Sequence, residues 1–238
     1  MELFKRWPSG HLFFCVNYVE VAIRAGRMLR KCHVTAFIDW NSQTYNAGVK
    51  RELVRSGRGI DSVIQYIANT IDSILSKNKE WDRYEVDIRL YYGWHAGLTK
   101  TKCRSGIEEL AAAGGLPASR GRCTFNWSCP FGDKLLSALD RRLHRKVQLH
   151  LPDTLRDDAE GNGREKMVDT ALVADLLSVT RGDSQGWKII LAEDDDVIPG
   201  LLVAEKWSSE RGGRCILARK RAEMGHLRID ELLHVLGG

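Results

Sequence analysis

The chain has 238 residues, enough for one large domain or two small ones. Its 43% hydrophobic and 28% charged residues are the balance of a soluble globular protein, and no apolar run approaches the roughly 20 residues of a membrane span. The formal net charge of +5 favours a polyanionic partner over a cationic one.

Taken in chain order, the elements alternate. Lys5 and Arg6 precede His11–Val16, an apolar run too short for a secretory signal, so the expected compartment is the cytoplasm. Val19–Leu29 reads as a helix within an extension over residues 1–32. Five short apolar runs read as strands: Val34–Ile38, Glu85–Tyr92, Lys146–His150, Trp187–Ala192 and Gly213–Leu217. Between the first two, Ile60, Val63, Ile64, Ile67, Ile71, Ile74 and Leu75 recur at helical spacing, and Met167–Val179 and Ile198–Trp207 repeat the pattern. Residues 94–132, rich in Gly and Cys, read as an insertion ahead of a helix at Lys134–His144. The alternation predicts an α/β domain over residues 33–238, with a mostly parallel five-stranded sheet flanked by helices.

Six cysteines (Cys15, Cys32, Cys103, Cys123, Cys129 and Cys215) lack the paired CxxC spacing of a structural zinc site and are expected as reduced thiols. Two basic clusters, Lys50-Arg51-Arg55-Arg58 and Arg141-Arg142-Arg145-Lys146, fit either solvated helix faces or a grip on nucleic acid.

The acids carry the chemistry. Asp194, Asp195 and Asp196 follow directly on the apolar run Trp187–Ala192, and like charges at that density repel unless protonated or neutralised by a cation. Ligands of a parallel α/β sheet gather beyond the C-terminal ends of its strands. Asp39 ends the first strand there. The helix that precedes the fourth strand runs back along it, so Asp169, in the first turns of that helix, belongs to the same edge. Asp175 lies six residues further, roughly 9 Å along the axis, and is expected to make a structural hydrogen bond instead. Each acid also has a plainer reading: Asp39 as a helix cap, Asp169 as a partner of the helix dipole, the Asp run as a solvated turn.

The set Phe37-Ile-Asp39, Lys166-Met-Val-Asp169 with Asp175 six residues on, and Leu191-Ala-Glu-Asp194-Asp-Asp196-Val-Ile-Pro199 resembles the NYN domain, a branch of the PIN-like nucleases. Leu227–Leu233 resembles that family's closing segment. The chain departs from the family pattern at Trp40, Ser42, Ala192-Glu193, Asp195 and Val197, while the four acids keep their places. The resemblance implies a PIN-like, Rossmann-like three-layer fold and a metal-dependent endoribonuclease. In that reading Asp39, Asp169, Asp194 and Asp196 hold one or two Mg²⁺ or Mn²⁺ ions, and water cleaves the phosphodiester to leave a 5′-phosphate. Asn41 or Ser42 orients the water or a phosphate oxygen. Arg141 and Arg145 grip single-stranded RNA, Lys166 either joins them or simply pairs with the acids, and Trp40 either stacks on a base or packs against the sheet. Glu193 and Asp195 either tune the metal or are solvated. The competing readings are a PIN-like RNA-binding or adaptor protein with little or no catalysis, and a DNA nuclease or phosphatase using the same acids. No membrane partner is expected. The extension and the insertion are the segments left for a second copy of the chain or another protein.

Overall fold

The computed structural model describes residues 23–24, 27–136, 151–158, 163–221 and 232–236. Within the expected N-terminal helix, Ile23–Arg24 (β1) and Arg27–Met28 (β2) pair antiparallel instead. Gly26 separates them in sequence, and glycine inside a helix costs about 1 kcal/mol relative to alanine. The remainder of that expected helix up to residue 22 lies outside the described residues.

The first expected strand is longer than its apolar run, spanning Lys31–Asp39 (β3). Three helices follow: Trp40–Asn46 (α1), Arg51–Arg55 (α2) and Ile60–Ser76 (α3). The seven apolar positions that define α3 in the sequence are all at most 5% exposed. Burying each contributes about 2 kcal/mol, which holds this long helix to the sheet. Arg83–Tyr91 (β4) then pairs parallel with β3 along its whole length, from Lys31 opposite Arg83 to Asp39 opposite Tyr91.

Residues 94–132 are built into the sheet. A small hairpin, His95–Ala96 (β5) with Thr99–Lys100 (β6), leads into helix Lys102–Ala112 (α4). Ser119–Arg120 (β7) and Cys123–Asn126 (β8) come next, and β8 extends the sheet parallel to β4. The period-two signal is present in β8, where Cys123 and Phe125 are buried and Thr124 and Asn126 exposed, but four residues are too few to stand out in the sequence. Gly106 permits α4 to approach α3, because a Cβ there would meet Ile60 Cδ1 at 2.5 Å. The expected strand Lys146–His150 and most of the helix expected at Lys134–His144 lie outside the described residues.

A second hairpin, Leu155–Asp157 (β9) with Gly163–Glu165 (β10), precedes helix Val168–Gly182 (α5). Trp187–Leu191 (β11) is buried at every position and runs parallel to β3. A 3₁₀ turn at Asp195–Val197, helix Ile198–Ser209 (α6) and strands Arg214–Arg219 (β12) and Leu233–Val235 (β13) complete the order.

The main sheet has seven strands in the order β13-β12-β11-β3-β4-β8-β7, all parallel to their neighbours except β7. Four of the five expected strands stand in this sheet as β3, β4, β11 and β12, and β7, β8 and β13 join them. Alternation along the central strands feeds two cores. Val34, Ala36, Ile38, Ile189 and Leu191 pack with the α3 isoleucines, while Phe37, Ile190 and Leu217 pack with Leu172 and Leu176 of α5 and Leu201 of α6. The fold is α/β, with helices flanking a mostly parallel sheet. No helix among the described residues is long and apolar enough to cross a membrane.

This order fixes where chemistry can gather. From β3 the chain moves outward to β4 and β8, then returns to β11 on the other flank of β3 and moves outward the opposite way. The β3/β11 boundary is thus the point where the strand order reverses, and the crevice beyond its C-terminal ends is where open α/β sheets bind ligands.

Candidate metal centre

Asp39 closes β3 at that boundary. Its carboxylate caps α1, accepting from the Asn41 N–H at 3.1 Å, the Ser42 N–H at 3.3 Å and the Ser42 hydroxyl. Burial pushes the Asp39 carboxyl up to about 6; the Ser42 hydroxyl opposes the shift, and the charge of Asp169 adds to it.

Across the boundary, Met167 turns the chain from β10 into α5 with φ +64°. A side chain other than glycine pays about 1–2 kcal/mol for this left-handed backbone, and the turn sets Asp169 in the first turn of α5. Beyond β11, Asp194 caps the 3₁₀ turn by accepting the Asp196 N–H at 3.0 Å. Carboxylate oxygens of Asp169, Asp194 and Asp196 all lie within 4.8 Å of one another. Burial raises the Asp169 pKa first, and the charges of Asp194 and Asp196 raise it further. Among the described residues, no cationic side chain pairs with any of the three.

The three aspartates can hold a metal ion. Oxygens around Mg²⁺ at about 2.1 Å stand about 3 Å apart when adjacent and about 4.2 Å when opposite, so a spread of 4.8 Å needs only small side-chain rotations. Hard carboxylate oxygens suit Mg²⁺ or Mn²⁺ better than a soft metal. Asp39, the fourth acid expected from the sequence, does not share that spacing and is tied to the group through the charge of Asp169.

Glu165 is an acid that sequence reasoning missed. Burial pushes it up to about 7, the charges of Asp39 and Asp169 add to that, and Arg51 opposes it. Its Oε1 is buried without a hydrogen-bond partner. Nothing in the sequence marks it, since its neighbours in the crevice come from β3 and α5 by way of the fold.

The remaining expected residues divide. Trp40 is a correction to the base-stacking alternative: it is fully buried, its ring 6.2 Å from that of Trp94, because the first position of α1 points back into the α3 core. Ser42 is engaged by structure, its hydroxyl donating to Asp39 and accepting the Glu193 N–H at 3.2 Å. Asn41 faces a cavity beside Asp39, and Lys166 is exposed and unpaired with the acids. Arg141 and Arg145 lie outside the described residues. Asp175 is fully buried and accepts from Arg89 at 2.6 Å, from the Tyr91 hydroxyl at 2.9 Å and from the Leu136 N–H at 2.7 Å, as its position on the helix predicts.

Glu193 and Asp195 lie outside the group of three aspartates and are each held by other partners. Glu193 accepts from Asn46 Nδ2 at 3.0 Å and from the Lys220 N–H at 2.8 Å. Asp195 pairs with Arg219 at 2.7 Å and Arg221 at 2.5 Å, which hold its carboxyl below the usual range. The acidic run alternates: Asp194 and Asp196 turn towards Asp169, and Glu193 and Asp195 fasten the end of β12.

Beside the centre, a groove of about 860 Å³ is lined by residues that include Asn41, Tyr45, Lys50, Arg51, Glu193 and Lys220. Cys32, Cys103, Cys123, Cys129 and Cys215 are free thiols, and burial pushes all of these except Cys129 up to about 12, which leaves those four unreactive. Compared with known proteins, the chain matches no family model, no curated protein and no solved structure.

Proposed function

We infer that the chain is a metal-dependent nuclease that hydrolyses phosphodiester bonds, with single-stranded RNA as its substrate. One observation carries the reading: three carboxylates converge within 4.8 Å at the point where the strand order reverses, with no cationic side chain among the described residues paired to them. A protein gains no stability from such an arrangement, so a bound cation is its economical explanation. The mild positive charge of the chain and the exposed cations beside the acids favour a polyanionic substrate over a neutral one.

Asp169, Asp194 and Asp196 would hold Mg²⁺ or Mn²⁺. When bound, such an ion lowers the pKa of water and offsets charge on the phosphate. The remaining work belongs to the chain. Asp39, fixed by its three hydrogen bonds from Asn41 and Ser42, keeps α1 seated against the centre. The Asn41 side chain, on the groove side of α1, is placed to orient a phosphate oxygen. The Met167 turn holds Asp169 at the rim, and the ion pairs of Asp195 hold the Asp194–Asp196 turn against β12.

The test is incubation of the full-length protein with end-labelled RNA and DNA in Mn²⁺ or in EDTA. RNA cut in Mn²⁺ but not in EDTA, and not by Asp194→Asn, is the expected result. Wild-type protein that leaves RNA intact in Mn²⁺ would overturn it.

A further inference from the structure

The groove beside the acids carries features that the metal centre does not use. Tyr45 is 80% exposed, although an aromatic ring is among the most profitable side chains to bury. Asn41 and Tyr45 are four residues apart on α1 and both line the groove, so Tyr45 lies about 6 Å along the helix from the residue whose N–H donates to Asp39. That is the order of one nucleotide step in an extended strand.

The charges are selective. Lys220 Nζ donates to the Asn46 carbonyl at 2.9 Å, and Arg221 is taken up by Asp195. Glu193, the one carboxylate among the described lining residues, is occupied by Asn46 and by main-chain N–H groups. Lys50 and Arg51 are exposed and make no ion pair among the described residues, although the charge of Arg51 reaches Glu165. The groove therefore offers two exposed cations and an exposed ring beside the acids.

We propose that this groove is the substrate track, in which a base of single-stranded nucleic acid stacks on Tyr45 while Lys50 and Arg51 hold the phosphates leading to the acidic edge. The proposal rests on the reading of that edge as a phosphodiester-cleaving centre. A base reaches the face of a surface tyrosine only when it is free of a duplex, which selects single strands. Stacking is tolerant of sequence, so the track grips without reading a motif.

The experiment is fluorescence anisotropy of the full-length protein in EDTA with a short fluorescein-labelled oligouridylate, with the matching oligothymidylate as a second arm. Tyr45→Ala is expected to weaken binding about tenfold in at least one arm, and Tyr45→Phe to bind as wild type does. Converting Lys50 and Arg51 together to Gln should lower the slope of log affinity against log salt by about 1.4. An unlabelled duplex of equal length should fail to displace the probe. Tyr45→Ala melting at the wild-type temperature verifies that the fold is intact. Wild-type affinity in Tyr45→Ala, an unchanged salt slope in the double variant, or efficient competition by duplex would overturn the proposal. Because the assay runs without metal, those results leave Asp194-dependent cleavage standing. Conversely, intact RNA in Mn²⁺ alongside Tyr45-dependent binding would overturn only the nuclease reading.

Discussion

Asp169 and Asp194 bring carboxylate oxygens within 4.8 Å of each other from two different elements, with no cationic side chain among the described residues paired to either. At that distance two unit charges repel by about 1 kcal/mol even in a water-like dielectric. Asp194→Asn should therefore melt at or above the wild-type temperature in EDTA. Mn²⁺ should raise the melting temperature of wild type and leave that of Asp194→Asn unmoved. Equal Mn²⁺ shifts in both proteins would remove Asp194 from the centre.

Asp195 gives the internal control, since it stands between Asp194 and Asp196 in sequence but pairs with Arg219 and Arg221. Asp195→Asn should lose some stability and keep the full Mn²⁺-induced rise in melting temperature. Loss of that rise would place Asp195 among the ligands.

Asp175 and Arg89 form a buried pair, with side chains 0% and 3% exposed. Arg89 also donates to the carbonyls of Cys129 and Lys134, which accept hydrogen bonds but leave Asp175 as its counter-charge. Asp175→Ala leaves that guanidinium buried without its counter-charge and should cost about 3–5 kcal/mol in urea unfolding. A loss below about 1 kcal/mol would mean that the pair is not a structural clamp.

His33 lies between Asp87, at 2.9 Å, and Asp183, at 3.2 Å. The hydrogen bond to Asp183, then that to Asp87, pushes the imidazole up from 6.5 to about 9, and the same contact with His33 holds Asp183 down at about 2. A raised histidine stabilises fully below its unfolded value of 6.5 and stops as pH rises through about 9. A depressed carboxylate stabilises fully above 3.8 and stops as pH falls towards about 2. The stability difference between wild type and His33→Gln should therefore be greatest between 3.8 and 6.5 and vanish above about 9, as read by thermal melts across pH. A difference that persists unchanged above that pH would refute the charged clamp. With 45% of the His33 side chain exposed, solvent screening keeps the effect modest.

Much of this was legible in the sequence, for local reasons. The period of α3, the unbroken apolar runs of β3 and β11, and the six-residue step from Asp169 to Asp175 each lie within one element, where spacing alone sets which residues share a face. The expected edge for the acids followed from the alternation of strands and helices. The Trp40 alternatives were left open because the first residue of a helix can face either way, and the α3 core settled it. Residues 94–132 read as an insertion because β8 is only four residues long, too short for its alternation to be counted.

What the sequence by itself determined was the central elements β3, α3, β4, α5, β11, α6 and β12 and the acidic positions at their ends, since both depend on periodicity along one stretch of chain. Only the tertiary structure decided which acids meet. Asp194 and Asp196 turn to Asp169, Asp195 and Glu193 turn to the end of β12, and Glu165 comes into the crevice from a hairpin. Those partners are distant in sequence, and their distances are set by strand order and backbone turns such as Met167, which no spacing within a single motif records.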